Sequence, residues 1–426
     1  MFRVSNLNLL DGPECLLETS EERHEGPGTS ILNCAKNYFF FTSHSNFTHR
    51  IINDHHSLFH APHNMLSIRK HLSLCLSLCI VVCIQVAETI AFSLMSPNTS
   101  HNLKDVLESP TPSFERNGSI SATRILECQN SLGECIIYDD KTNTVLWTDI
   151  YGKGFHSLNL SNGEHAVRKL PKLLCAFGLR DEGSGYLFAW EDGFQMYDPD
   201  TSIGSELSKM SIGEDVNPHK LPTRLNDGRC DPTGKRFICG GYYGDIEGMY
   251  MKVYKVEMTK GEDSELILAH RPVVDQIQVT NSISWSPDGK IQYLADSPTG
   301  TIFKNDYDLQ NGTLSNRQVL RKLDVGVPDG SCNDSEGNVW TAVWRNGVGQ
   351  SFVQCTNPEG ACIYTVTLPD STSQLTCCCF GGPELDVLFV SSANIDVDGE
   401  KEPFAGSVYA VKLGMKGRPE SRFGLS

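Results

Sequence analysis

None of the chain's 16 cysteines falls in a C-x-x-C pair, so a zinc ribbon or a thioredoxin-like dithiol has no spacing to build on. Cys377, Cys378 and Cys379 are consecutive, which suits neither a metal knuckle nor disulfides. Most of the cysteines read instead as small buried apolar side chains in a reducing compartment, with room for a disulfide but no need of one. Basic clusters are also missing. The net charge is −16, and no stripe of Lys and Arg exists to meet a phosphate backbone, so nucleic acid is excluded as a partner. Long apolar runs are scarce. The best, Leu72 to Val86, is short and laced with serine and cysteine, so no stable membrane span is expected in the mature protein. Helical periodicity is nearly absent beyond residue 124, which argues against bundles and α/β folds.

What is present divides the chain in four. Residues 1–64 show no sustained period and read as an unstructured leader, or as sequence upstream of a true start at Met65. They hold most of the 8 histidines that precede residue 72, out of 13 in the chain. A histidine metal tract is the sharper reading of that bias, and an unstructured leader the plainer one. Residues 65–92 have the build of a targeting signal: Arg69 and Lys70, then the apolar run, then small residues at Ala87 to Ala91. The expected location is cytoplasmic, or plastid or secreted if that segment acts as a signal; Ile90-Ala91-Phe92 resembles the cleavage point of some bipartite plastid leaders. Residues 93–122, rich in Ser, Thr, Pro and Asn, read as a linker or transit segment. Residues 123–426 form the folded domain.

Within that domain a unit recurs: a turn centred on Gly or Asn, then a strand-forming run. It appears as DKTNTVLWTDI from Asp140, EGSGYLFAW from Glu182, DPTGKRFICGG from Asp231, SPDGKIQYLADS from Ser286 and DSEGNVWTAVW from Asp334. A looser copy, PELDVLFVSSA, starts at Pro383. The turn residues Asn143, Gly185, Gly234, Gly289 and Gly337 lie 42, 49, 55 and 48 apart. Gly and Asn tolerate the positive φ of a tight turn, and repeats of this length made only of strands indicate four-stranded propeller blades. Neither the G-H…W-D pairs of WD40 repeats nor the di-glycine of kelch repeats is seen. The expected fold is all-β, a six-bladed β-propeller preceded by the unstructured leader.

Four segments place acid, amide or guanidinium groups beside strand starts: Leu132 to Glu134, Arg224 to Gly228, Thr280 to Ser282 and Val327 to Gly330. Each alone is a common turn sequence. Their recurrence at one phase of successive blades points to side chains converging on the central channel. An acidic balance suits capture of a cation there, as well as plain solvation.

The same segments resemble the regucalcin, gluconolactonase and senescence marker protein group over about residues 126–424. The stretches GECIIYDDKTNTVLWTDI, RLNDGRCDPTGKRFICGG, NSISWSPDGKIQYLADSPTGTIFKNDYD, VPDGSCNDSEGNVWTAVW and the closing TSQLTCCCFGGPELDVLFVSSA are similar to that family's motifs in the same order. The resemblance implies one divalent cation (Ca²⁺, Zn²⁺, Mn²⁺ or Mg²⁺) held by Glu134, Asn281 and Asp329, with Arg224 and Asn226 binding substrate. Hard oxygen donors suit such ions. It implies an enzyme that hydrolyses a small-molecule lactone, with Asp329 as general base on the attacking water. Two alternatives stay open: another ester or a phosphotriester at the same site, or a non-catalytic calcium-binding protein.

The chain departs from the family's pattern at three places. Cys135-Ile136 replaces Gly-Pro after Glu134, and Ser282 replaces the usual Gly after Asn281. Cys135 is read as a packing residue rather than a ligand. The family's next substrate-contacting loop is matched loosely by Tyr242 to Met249, where Asp245 and Glu247 are equal candidates. Sequons at Asn98, Asn117, Asn159, Asn311 and Asn333 permit glycosylation on a secretory route. The sequence does not fix the oligomeric state.

Overall fold

A computed structural model describes residues 98–111, 118–182, 185–209, 223–243, 250–261, 266–345 and 349–425. The leader, the signal-like segment 65–92, and the loop carrying Asp245 and Glu247 lie outside the described residues.

Six antiparallel sheets follow one another along the chain. Blade 1 runs Gly133–Asp139, Thr144–Asp149, Gly154–Asn159 and His165–Lys169. Blade 2 runs Leu174–Leu179, Tyr186–Trp190 and Gly193–Asp198, with two short outer pieces, Ile203–Gly204 and Ser208–Lys209. Blade 3 comprises Arg224–Cys230, Arg236–Tyr242, Met251–Lys260 and Leu266–Ile277; blade 4, Thr280–Trp285, Ile291–Asp296, Thr301–Tyr307 and Leu314–Lys322. Blade 5 is Val327–Asn333, Val339–Trp344, Phe352–Thr356 and Cys362–Thr367, and blade 6 is Leu375–Gly381, Val387–Ser392 and Val408–Lys412. The first strand of each blade touches the first strand of the next, and that of blade 6 touches that of blade 1, so the ring is closed. The expected six-bladed propeller is the fold.

The N-terminal chain locks the ring. Thr123–Leu126 pairs antiparallel with Val408–Lys412 and supplies the fourth strand of blade 6. Just before it, Ser119–Ser121 lies parallel to Cys362–Thr367 on the outside of blade 5. A helix, α1 (Asn98–Glu108), packs on blade 6. Leu103 and Val106 are buried in one cluster with Ile125, Val387, Phe389 and Val408. Parts of the segment read as a linker therefore carry regular structure: residues 98–108 are helical, and 119–121 add a strand.

The repeated turn explains the repeated fold. Asn143, Gly185, Gly234, Gly289 and Gly337 all have positive φ, between 53° and 91°. In blade 6 the same place is held by Leu385 at φ 54°, which is why that copy looked loose. The cysteine triplet follows strand alternation. In the inner strand of blade 6, Cys377 and Cys379 join the apolar cluster shared with blade 1, while Cys378 joins the one shared with blade 5. Eleven cysteines are free among the described residues.

Inner strands of neighbouring blades do not form backbone ladders with each other, so some of their carbonyls need side-chain donors. Hydroxyls and one amide supply them. Thr148 Oγ1 donates to Leu174 O at 2.8 Å, Asn226 Nδ2 to Thr280 O at 2.8 Å, and Ser282 Oγ to Asp329 O at 2.6 Å. Ser351 Oγ donates to Ser373 O at 2.7 Å, and Thr376 Oγ1 to Gly133 O. These stitches fix the spacing of the inner strands around the channel, and that spacing sets the site.

Candidate functional site

Each blade's first hairpin slips register near the start of its inner strand. The slips fall between Glu134 and Ile137, Leu174 and Ala176, Leu225 and Gly228, Asn281 and Ser284, Pro328 and Ser331, and Leu375 and Cys378. A bulge at this point re-aims side chains away from the plain two-residue alternation. Glu134, Asn226, Asn281 and Asp329 all sit at these bulges. Cys135 and Ser282, which follow two of them, have φ of 49° and 58°. At these positions the family pattern has glycine, and the chain keeps the left-handed geometry without it.

Glu134, Arg224, Asn226, Asn281 and Asp329 line one cavity of about 590 Å³ at the end of the channel where the inner strands begin. They come from blades 1, 3, 4 and 5, and all five are buried. The sequence-derived set is thus brought together in full. Above it the cavity is bounded by Tyr151, Tyr242 and Trp344.

A hydrogen-bond chain orders the amides. Arg224 Nη1 donates to Asn226 Oδ1 and, at 3.0 Å, to Leu225 O. Asn226 Nδ2 then donates to Asn281 Oδ1 at 3.1 Å, and Asn281 Nδ2 to Ser297 Oγ at 2.9 Å. Ser297 Oγ passes on to Pro328 O at 2.7 Å. Asn281 is therefore fixed at both ends of its amide, by Asn226 and by Ser297. Ser297 closes the repeated unit SPDGKIQYLADS, but neither its orienting role nor that of Asn226 is visible in the sequence motifs. The Arg224 guanidinium lies against the rings of Tyr242 and Tyr151, 4.7 and 5.5 Å from their centroids.

The carboxylates carry the electrostatic tension. Asp329 is pushed well above the ordinary carboxylate range by burial, then by the charges of Glu134 and Asp227; Arg224 opposes the shift. Glu134 is pushed up by burial and by Asp227. Asp227 rises through burial too, although its Oδ2 accepts from Ile283 N at 2.9 Å. Asp329 Oδ1 is buried with no hydrogen-bond partner, and so is Arg224 Nε. Clustered buried carboxylates with an unpartnered oxygen are costly unless something positive joins them.

Cys135 packs as expected. Its sulfur accepts from Phe177 N at 3.4 Å within an apolar cluster, and burial pushes the thiol far up, so it is no ready metal ligand.

The opposite end of the channel is closed by the C-terminal tail, a feature no motif announced. Ser335 N donates to Lys416 O, Gly417 N to Leu385 O, and Arg418 Nη1 to Ser286 O, at 2.7, 2.7 and 3.2 Å. Glu420 Oε1 accepts from Arg229 Nε at 2.8 Å. Arg422 pairs with Asp139 and Asp140, Phe423 N donates to Leu179 O at 2.7 Å, and Gly424 N to Gly234 O at 2.8 Å. These contacts reach all six blades.

Residues 132–394 match the family described as the SMP-30/gluconolactonase/LRE-like region. The chain is 31% identical to regucalcin of Danio rerio over 308 residues, covering 71% of this chain and 97% of that protein. It is 28% identical over 298 residues to 6-deoxy-6-sulfogluconolactonase of Pseudomonas putida, covering 68% of this chain and 94% of that one. Its fold superposes on the crystal structure of a calcium-binding protein, regucalcin, from Agrobacterium tumefaciens with a TM-score of 0.62 at 26% identity, over 73% of this chain and 100% of that one. The bulge-borne acid and amide residues, the closed ring of six blades and these likenesses agree: the chain belongs to the SMP-30/gluconolactonase/LRE-like family.

Proposed function

We propose that this protein is a divalent-cation-dependent hydrolase that opens small lactones. The reading rests on one observation: two carboxylates, two amides and a guanidinium from four blades open on a single cavity. The names of the Pseudomonas putida lactonase and the Agrobacterium tumefaciens calcium-binding protein support it.

The donor set fits a hard cation. Glu134, Asn281 and Asp329 offer oxygen atoms, and Asp329 Oδ1 is a buried acceptor without a partner. Both carboxylates are disfavoured as bare anions, a penalty that a cation between them removes. When bound, the cation supplies a Lewis acid that polarises the lactone carbonyl. Asp329 takes the proton of the attacking water. The bond between the acyl carbon and the ring oxygen breaks, the ring oxygen leaves as a hydroxyl on taking back the proton that Asp329 accepted, and the product is an open hydroxy acid. Arg224 and Asn226 meet substrate oxygen atoms, and their hydrogen-bond chain keeps Asn281 aimed. A guanidinium at the cavity wall favours a substrate with oxygen acceptors over simple ion storage.

The test strips the protein of metal and resupplies Ca²⁺, Mg²⁺, Mn²⁺ or Zn²⁺ while acid release from gluconolactone, galactonolactone and an aliphatic lactone is followed. Turnover that returns with a cation supports the reading. Tight cation binding with no lactone opened overturns it and favours another ester, a phosphotriester or a calcium-binding role.

A further inference from the structure

The cavity has two unlike walls. Blade 3 presents polar groups: the Arg224 guanidinium as donor, the Asn226 Oδ1 as acceptor (its two N–H groups are given to Thr280 O and Asn281 Oδ1), and Tyr242 beside them. Across the channel, where blades 5, 6 and 1 meet, Trp344, Ile395 and Leu132 form an apolar shelf in the lining, flanked by Arg345, Gln374 and Asp396. The three shelf residues belong to one packing cluster: Leu132 within it, Trp344 and Ile395 half-buried against it. The latter two also line the cavity, so part of the face they present to it is apolar.

This shelf is held in place by polar groups that are themselves occupied. Gln374 lines the same wall, but its Nε2 donates to Ile395 O at 2.7 Å and its Oε1 accepts from Ile395 N at 2.9 Å. Its amide thus clamps the Ile395 backbone rather than waiting for a substrate hydroxyl. Backbone bridges Leu132 to Ala393 and Trp344 to Gln374 tie the three blades together at this point.

Resting on the lactonase reading above, we propose that the preferred substrate is an amphiphilic lactone, its ring oxygens toward blade 3 and an alkyl or aryl substituent on the Leu132–Trp344–Ile395 shelf. A fully hydroxylated sugar lactone carries hydroxyls around most of its ring, and those set against the shelf itself, rather than against Arg345 or Asp396 at its edge, lose water without gaining a partner. An alkyl chain gains from the same burial, methylene by methylene. A wall of this kind discriminates by the difference of the two effects.

The experiment compares δ-decalactone with δ-gluconolactone on the full chain, and on Ile395→Ser and Trp344→Ala variants checked for unchanged melting. The expected kcat/KM is higher for δ-decalactone by at least about tenfold. In each variant the ratio of the two falls by about tenfold. In parallel, calorimetry follows binding of the unreactive lactams of both compounds. Preference for gluconolactone, or a ratio that neither variant moves, overturns the shelf while leaving the lactonase reading standing. If neither lactone is opened, the lactonase reading fails and the lactams decide. Selective binding of the alkyl lactam, weakened in the Ile395→Ser variant, upholds the apolar wall, and equal or absent binding removes it.

Discussion

The two ends of the central channel are built from the same six strands and end in opposite states. At the tail end, charges are matched: Arg229 with Glu420, Arg422 with Asp139 and Asp140. The cavity left there is about 70 Å³. At the site end the cavity is about 590 Å³, and Glu134 and Asp329 are crowded by each other and by Asp227, with Arg224 as the charge that opposes their shifts. One end has satisfied its polar groups internally for stability. The other holds polar groups in an unfavourable state that a bound cation would relieve, and buried charges of this kind cluster at functional sites.

The sharpest way to test this contrast is Asp329→Asn. At the site end, activity and stability should move in opposite directions. The account predicts that kcat/KM for lactone hydrolysis falls by roughly 10²–10⁴ through loss of the base. The metal-free variant should melt no lower than the parent, because a disfavoured buried charge has gone. A variant that loses activity and stability together would mean that Asp329 is structural.

At the tail end the reverse holds. Glu420→Ala leaves the Arg229 guanidinium buried without its carboxylate and should cost about 3 kcal/mol in denaturant unfolding. Adding Arg229→Met should restore much of that loss, since a paired removal avoids the stranded charge. Full recovery of stability without the second change would show the ion pair to be idle.

A smaller effect separates the ends by pH. Burial and neighbouring charge push Glu134 up to about 8 and Asp329 higher than its usual range. The folded state then holds these protons more tightly than the unfolded chain, so their contribution to stability is complete below the ordinary carboxylate range. It is lost as pH rises through the folded value. Metal-free protein should therefore melt lower at pH 8 than at pH 5, and added cation should restore more at the higher pH. A melting temperature equally responsive to cation at both pH values would contradict this.

The smallest effects concern the bulges. Ser282→Ala keeps the positive φ and removes the hydroxyl that donates to Asp329 O, for a loss of about 1 kcal/mol. Ser282→Gly loses the same bond but relieves the left-handed backbone, so it should be the more stable of the two by about 1 kcal/mol. Thermal melts of the pair, read against each other, check this order.

How much of this could be read from the sequence depends on range. The blade count rested on a local event, a turn needing positive φ, which Gly or Asn marks in five copies; Leu385 holds that turn in the sixth, so it could be read only loosely. The site residues were legible because each lies beside a strand start in a motif, and the bulges lift them together toward the axis. What stayed hidden was held by distant pairing. Arg422 meets Asp139 across 283 positions, and Arg229 meets Glu420 across 191. The helix α1 carries few apolar residues in NTSHNLKDVLE, so its docking on blade 6 had no periodic signal. Gln374 reads as any polar residue until its amide is seen clamping Ile395.

The central claim is that a cation sits among Glu134, Asn281 and Asp329 at the open end. A crystal structure of the calcium-loaded protein tests it most directly. The account predicts density on the channel axis, with oxygen atoms of those three side chains at about 2.3–2.6 Å. Calcium found only at surface carboxylates, with Asp329 Oδ1 still without a partner, would contradict it.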